Sequence, residues 1–199
     1  MLKNQLKVEV SERHIGSKIT CSVIYGSAVL YISHWPLDGK IRDYIDNFKS
    51  YIRQILNKCD VYLVFDRYME FSTKSEARSG RQSNVSRVYK LMDDMALPTQ
   101  NVMLGVTEKK QQLISLICKT LCTDKEFHHL CTQTHILVVT GDHDTPTEIY
   151  KGVIINRADL KTFHEEADVI MIRQMVDAVN TEHTGSSVVA DETYVFVLL

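Results

Sequence analysis

The sequence predicts a three-layer α/β/α sandwich with a mostly parallel central sheet, and three observations lead to this fold class. Short runs rich in β-branched residues alternate along the chain with amphipathic segments of helical periodicity. The runs are apolar throughout, as in strands that are covered on both faces. Hydrophobic residues make up 44% of the 199 residues, which is enough for one full-sized core.

The first half of the chain supplies two strands and two helices. The longer helix has apolar residues at every third or fourth position and charged residues on its other face. In order, the predicted elements are a strand over 19–25, a helix from Ala28 that Pro36 stops, an amphipathic helix over 39–58 and a central strand over 61–65. Gly26 follows the first strand as a tight turn, and Asp66 follows the second.

The second half begins with a polar stretch over 67–100, rich in Ser and Arg, in which a short helix is expected around 75–79. A polar segment of this length is uncommon in a compact domain and is often functional. The elements predicted beyond it are a helix after Thr107, a strand over 135–140, a short strand or hairpin over 149–155, a helix from about His164 and a strand over 186–190.

The helix near His164 has two further sequence signals. Thr162 and Glu165 have the spacing of a capping box at its start. Its apolar residues predict a face toward the core that comprises Ala167, Ile170, Met171, Met175, Ala178 and Val179.

Charge and cysteine content indicate the setting in which the protein works. A net charge of −2 argues against tight non-specific binding to nucleic acid, but it is compatible with a local basic strip. The odd number of cysteines and the lack of a leader pattern predict a reducing intracellular compartment, nuclear or cytoplasmic. No apolar run approaches the roughly 20 residues that cross a bilayer, so no membrane partner is expected. We predict one domain over 18–199, preceded by an N-terminal arm over 1–17.

Acidic residues stand where a parallel sheet places ligand sites. Asp66 and the pair Asp191 and Glu192 follow predicted strands, and residues 165–168 bring three more acids to a helix start. Clustered carboxylates repel one another unless a divalent cation neutralises them, and Mg²⁺ and Mn²⁺ prefer such oxygen ligands. Taken one at a time, the same acids are equally typical of turns, caps and first helical turns.

Three motifs in order carry a family resemblance: Phe65-Asp66, then Glu165-Glu166-Ala167-Asp168, then Asp191-Glu192-Thr193-Tyr194 followed by an apolar run. This pattern resembles the PIN-like nuclease superfamily, and within it the flap-endonuclease-like members, over residues 18–199. The resemblance implies a PIN-like sandwich and a hydrolase that cleaves phosphodiesters with Mg²⁺ or Mn²⁺. It implies catalytic, metal-binding roles for Asp66, Glu166, Asp168 and Glu192, with Asp191 as an adjacent metal ligand.

The chain departs from the family pattern at two acidic positions. Tyr25 stands where the first family strand ends in Asp, and Tyr194 stands where the last motif ends in Asp. Relatives also continue beyond this point and supply a further acid, so the resemblance implies that the C-terminal part of the family domain is absent. Because a neutral phenol is a poor Mg²⁺ ligand, we expect any ion to be held weakly.

Two functions follow as expectations. The first is a metal-dependent nuclease-type domain of impaired activity, in which basic residues of the polar stretch contact the phosphates of DNA or RNA. Those residues are Arg67, Lys74, Arg78, Arg81 and Arg87. The alternative is a catalytically inactive pseudonuclease that serves as a nucleic-acid-binding or protein-binding module.

Overall fold

The computed structural model describes residues 20–67, 90–141, 143–180 and 186–189. The strands of this part are β1 (Cys21–Tyr25), β2 (Asp60–Val64), β3 (Leu137–Thr140), β4 (Thr147–Tyr150), β5 (Val153–Asn156) and β6 (Ser186–Val189). They form a six-stranded sheet in the order β5-β4-β3-β2-β1-β6. The strands β1, β2, β3 and β6 run parallel, and the β4–β5 hairpin is antiparallel.

Helices cover both faces of this sheet. They are α1 (Gly26–Ile32), α2 (Ile41–Leu56), α3 (Gln100–Leu104), α4 (Thr107–Thr123), α5 (Lys125–Cys131) and α6 (Ala167–Asn180), with a short 3₁₀ helix at Ala158–Leu160. Helices α1 to α5 contribute to the core on one face, and α6 and the 3₁₀ helix contribute to the core on the other. The chain therefore folds as the predicted three-layer α/β/α sandwich with a mostly parallel sheet.

Successive side chains of the central strands point to opposite faces of the sheet, so they belong alternately to two separate cores. Ile24 and Leu63 point to the layer of α1 to α5, whereas Val23, Tyr62 and Val64 point to α6. All of these side chains are fully buried. Because both faces are covered, the central strands carry apolar residues at every position and not at every second one.

A partly buried arginine ties the hairpin and the 3₁₀ helix to α6. The guanidinium of Arg157 donates hydrogen bonds to Glu148 at 2.7 Å, to Asp177 at 2.9 and 3.0 Å, and to Asp159 at 2.6 Å. Tyr62 on β2 donates its hydroxyl to the same Asp177 carboxylate at 3.1 Å. Hydrogen bonds from Arg157 hold the pKa of Asp159 below its ordinary value.

Replacing Arg157 with methionine is expected to destabilise the protein by about 2 kcal/mol, because it leaves two partly buried carboxylates, those of Glu148 and Asp177, without the guanidinium that donates to them. Guanidinium-chloride unfolding measures this loss. Arg173→Met is the matched control, since exposed Arg173 makes a single hydrogen bond, to the backbone oxygen of Asp159. A loss for Arg157→Met no larger than for the control would contradict the central role of Arg157.

The predicted strands and the amphipathic helix are confirmed, each within two residues of its predicted bounds where the structure describes them. The segment over 149–155 is a hairpin whose turn residues, Lys151 and Gly152, have φ angles of 50° and 74°. The short helices α3 and α5 were not predicted. The expected helix at 75–79 and the predicted arm lie outside the described residues.

The last predicted helix needs two corrections. Helix α6 starts at Ala167 and not near His164, and Thr162 accepts a hydrogen bond from the backbone of His164 instead of capping the helix. Val179, predicted to face the core, is 57% exposed, while Gln174 is buried and bonds Thr140 on β3. Gln174 therefore faces the core although the apolar pattern did not include it: its Nε2 donates to the Thr140 hydroxyl, while its Oε1 has no hydrogen-bond partner among the described residues.

Among the described residues, no helix combines the length and the apolar character that a membrane crossing requires.

Candidate active site

The candidate site lies at the carboxyl ends of the parallel strands. Tyr25 is the last residue of β1, and Asp66 lies two residues beyond the end of β2. The first turn of α6 meets the same edge of the sheet, since Ala167 binds Asp66 directly. Open α/β sheets bind ligands at this edge, so the position agrees with the expectation for Asp66.

Both carboxylate oxygens of Asp66 are engaged. The Tyr25 hydroxyl donates to Oδ2 at 2.5 Å, and the backbone N–H of Ala167 donates to Oδ1 at 3.2 Å. A hydroxyl–carboxylate contact of this length is at the strong end of charge-assisted hydrogen bonds. The second contact puts a negative charge at the N-terminus of α6, where the helix dipole favours it. Asp66 therefore takes the capping role that the sequence had assigned to Thr162 and Glu165.

The backbone of the acidic segment at the start of α6 lies beside this carboxylate. Glu166 and Asp168 flank Ala167 in the chain, so the bond from Ala167 to Asp66 places their backbones next to the strand-end acid. Glu165 lies one residue earlier, and its carbonyl oxygen accepts a hydrogen bond from the Arg67 backbone at 2.9 Å. The structure thus brings the first and second sequence motifs together.

No group of three His, Cys, Asp or Glu side chains that could hold a metal ion occurs among the residues described. The predicted ligands Asp191 and Glu192 and the departed position Tyr194 lie outside them. Of the predicted set, Asp66, Glu166 and Asp168 are the members whose relative position the structure gives. Their oxygen donors suit Mg²⁺ or Mn²⁺ in chemistry, and a full coordination shell requires donors beyond these three.

Arg67 corrects one prediction. Its side chain, expected to contact nucleic-acid phosphates, is 4% exposed, and Nη1 donates to the backbone oxygen of Thr162. With its backbone N–H on Glu165, Arg67 holds the segment that leads into α6. An enclosed guanidinium is not available to a phosphate backbone, which removes Arg67 from the predicted nucleic-acid contacts. Lys74, Arg78, Arg81 and Arg87 lie outside the described residues.

The burial of Arg67 also shapes the electrostatics of this edge. Within the described part of the chain, Nε and Nη2 have no hydrogen-bond partner. Burial lowers the pKa of Arg67, and the nearby Asp144 carboxylate opposes that shift. Because an arginine guanidinium stays protonated in proteins even when it is buried, Arg67 keeps a positive charge beside the Asp144 carboxylate.

Asp144 was not among the predicted site residues, and the structure connects it to the segment that leads into α6. Its carboxylate binds Lys161 at 2.7 Å, and its backbone oxygen accepts from Thr162 at 3.1 Å. A hydrogen bond from Lys161 holds the pKa of Asp144 below its ordinary value. Its position shortly after β3 was the available signal, because that strand ends at the same edge as β1 and β2.

The cysteine and histidine residues of α4 and α5 do not belong to this site. Cys118 and Cys122 line a cavity of about 220 Å³ together with Gly141 and His143. His128 instead bonds the backbone oxygen of Leu121 at 2.6 Å. The five cysteines are free thiols.

No family model matches this chain, and no curated protein or solved structure matches it either. The fold and the geometry at the carboxyl end of the sheet therefore carry the functional argument.

Proposed function

We propose that this protein is a PIN-like domain of nuclease type that acts on nucleic-acid phosphodiesters with impaired activity. The observation that supports this most is the bond between Asp66 and the first N–H of α6. This contact brings a strand-end carboxylate against the backbone of the Glu-Glu-Ala-Asp segment, which supports a cation site at this edge of the sheet.

In this proposal Asp66, Glu166, Asp168 and Glu192 hold Mg²⁺ or Mn²⁺, with Asp191 adjacent. The cation supplies charge that activates water and stabilises the leaving oxygen of a phosphodiester. Asp66 is oriented for this role by Ala167, which fixes one carboxylate oxygen. The basic residues of 74–87 hold the strand by its phosphates, and DNA and RNA are both compatible with that contact.

Tyr25 is the source of the impairment. Its hydroxyl occupies an acceptor position on Asp66 Oδ2 that a cation would otherwise use. A neutral phenol adds no charge to attract a cation, and it is a poor Mg²⁺ ligand. Each carboxylate oxygen accepts more than one bond, so Tyr25 weakens cation binding at Asp66 without abolishing it.

One observation favours a second function, that of a catalytically inactive pseudonuclease that binds nucleic acid or a protein. Tyr25 and Ala167 together satisfy both Asp66 oxygens from within the protein. A carboxylate that is stable without a cation suits a module that retains the fold and has lost the chemistry.

The Tyr25→Phe variant is expected to bind Mn²⁺ about tenfold more tightly than the parent, because the hydrogen bond that competes for Asp66 is worth about 1.5 kcal/mol. Calorimetric titration measures this, and Asp66→Asn should remove the binding. Tyr51→Phe is the matched control, since Tyr51 packs against the core on the other face of the sheet.

The same variants separate the two functions. Mn²⁺-dependent cleavage of single-stranded DNA or RNA that disappears in Asp66→Asn supports the nuclease. Nucleic-acid binding without cleavage in the parent and in Tyr25→Phe supports the inactive module. Mn²⁺ affinity that is equal in the parent, Tyr25→Phe and Asp66→Asn would contradict the proposed site.

A further inference from the structure

Among the strands that the structure describes, β5 lies at an edge of the sheet and has β4 as its one neighbour in the strand order. Three consecutive apolar residues of β5 are about half exposed: Val153 at 57%, Ile154 at 50% and Ile155 at 48%. Edge strands usually carry charges, proline or a covering element that prevents pairing with another strand. An edge that exposes β-branched apolar residues is instead typical of a strand that pairs with a partner.

The hairpin geometry identifies the backbone groups that are open. The backbone N–H of Arg157 donates to Pro146, and the two-residue turn closes with Tyr150 opposite Val153. Hydrogen-bonded positions alternate along an antiparallel ladder, so Val153 and Ile155 bond inward to β4. The N–H and C=O groups of Ile154 and Asn156 therefore point away from the sheet.

We propose that β5 pairs with β5 of a second copy of this chain, antiparallel and about a two-fold axis. In the register that uses all the open groups, Ile154 lies opposite Asn156 of the partner subunit, and the symmetric pair forms as well. Ile155 then lies on the axis, opposite the partner subunit's Ile155, at a position where side chains approach closely. The two sheets become one continuous sheet.

Charge complementarity favours a second copy over an unrelated strand. In this register, Lys151 in the turn lies toward the partner's Asp159, and the contact occurs twice by symmetry. Asp159 binds Arg157 of its own subunit, but that single guanidinium also serves Glu148 and Asp177, so the cluster keeps excess negative charge. The Asp159 side chain is 58% exposed and Lys151 is also exposed, so the two can meet across the interface. A four-residue strand provides less than the standard interface of about 800 Å² per partner, so the association is weak and depends on concentration.

Sedimentation equilibrium of the whole chain tests the proposal. The parent is expected to self-associate, and Ile155→Glu is expected to weaken the association at least about tenfold, because two like charges then meet on the axis. Lys151→Glu provides a second variant away from the strand, and it should weaken the association by placing a like charge opposite Asp159. Val102→Glu is the matched control, since Val102 on α3 is 48% exposed, like Ile155.

Hydrogen exchange reports on the same edge. The amides of Ile154 and Asn156 should become more protected as protein concentration rises, and in Ile155→Glu they should not. A parent that stays monomeric at millimolar concentration would overturn the proposal. So would self-association that Ile155→Glu and Lys151→Glu leave unchanged, or edge protection that is independent of concentration.

Discussion

Replacing Gly26 with alanine is expected to destabilise the protein by about 3 kcal/mol, at the upper end of the usual cost of overpacking a core. An alanine Cβ at this position would lie 2.5 to 2.7 Å from ring atoms of Phe65. Phe65 is fully buried, its ring lies 6.1 Å from that of Phe48, and its backbone N–H bonds Thr140. The ring therefore has little freedom to move away. Denaturant unfolding measures the loss.

A double-mutant cycle shows whether this cost comes from the Phe65 contact. Phe65→Ala alone leaves a cavity and is expected to cost about 4 kcal/mol. The added methyl group fills part of that cavity, so the double variant should be more stable than the sum of the two single losses by 1 kcal/mol or more, a coupling of the size that contacting residues show. Additive losses would mean that the methyl group meets something other than the ring.

The contact between Gly26 and Phe65 also bears on the candidate site. Each residue is the chain neighbour of a site residue, Gly26 of Tyr25 and Phe65 of Asp66. The close approach of glycine to the ring thus sets how near β1 and β2 bring Tyr25 and Asp66, which meet at 2.5 Å. A glycine after the first strand is consequently required for packing, whatever residue precedes it.

Sequence patterns were sufficient to predict the three layers of this fold, because the central strands are buried on both faces. Runs such as 61–65 are apolar throughout and give a strong signal, as does the amphipathic α2. The short helices gave a weaker sequence signal. Helix α3, for example, has five residues, which is too short for a periodic pattern.

The site was predictable in part, for a different physical reason. Strand-end acids and helix-start acids are local features, so Asp66, Glu166 and Asp168 could be assigned to one edge from their order. The tertiary contacts there were not predictable. Asp66 caps a helix about one hundred residues later in the chain, and Arg67 turns inward to the Thr162 carbonyl. The spacing of residues along the chain predicts neither of these two contacts.

Placing acids at both departed positions, with Tyr25→Asp and Tyr194→Asp together, is expected to make the stability of the protein depend on a bound metal ion. Without metal, the double variant should be about 3 kcal/mol less stable than the parent, since a hydrogen bond to a charged group is lost and like charges meet at Asp66. With Mn²⁺ at one hundred times its dissociation constant, binding should return about 2.7 kcal/mol. Thermal melts with and without Mn²⁺ measure both effects.

The pH dependence of the metal-free variant separates charge repulsion from lost packing. Crowding raises the folded-state pKa of a carboxyl group above its unfolded value, so the variant is relatively more stable at low pH and loses that stability as the pH rises. Its deficit relative to the parent should therefore shrink toward about pH 4, near the ordinary pKa of a carboxyl group. Tyr25→Asn with Tyr194→Asn serves as the uncharged control and should show neither this pH dependence nor the rescue by Mn²⁺. If the acidic variant bound no Mn²⁺ and lost no stability, Tyr25 and Tyr194 would not occupy ligand positions, and the assignment of this edge as a metal site would fail.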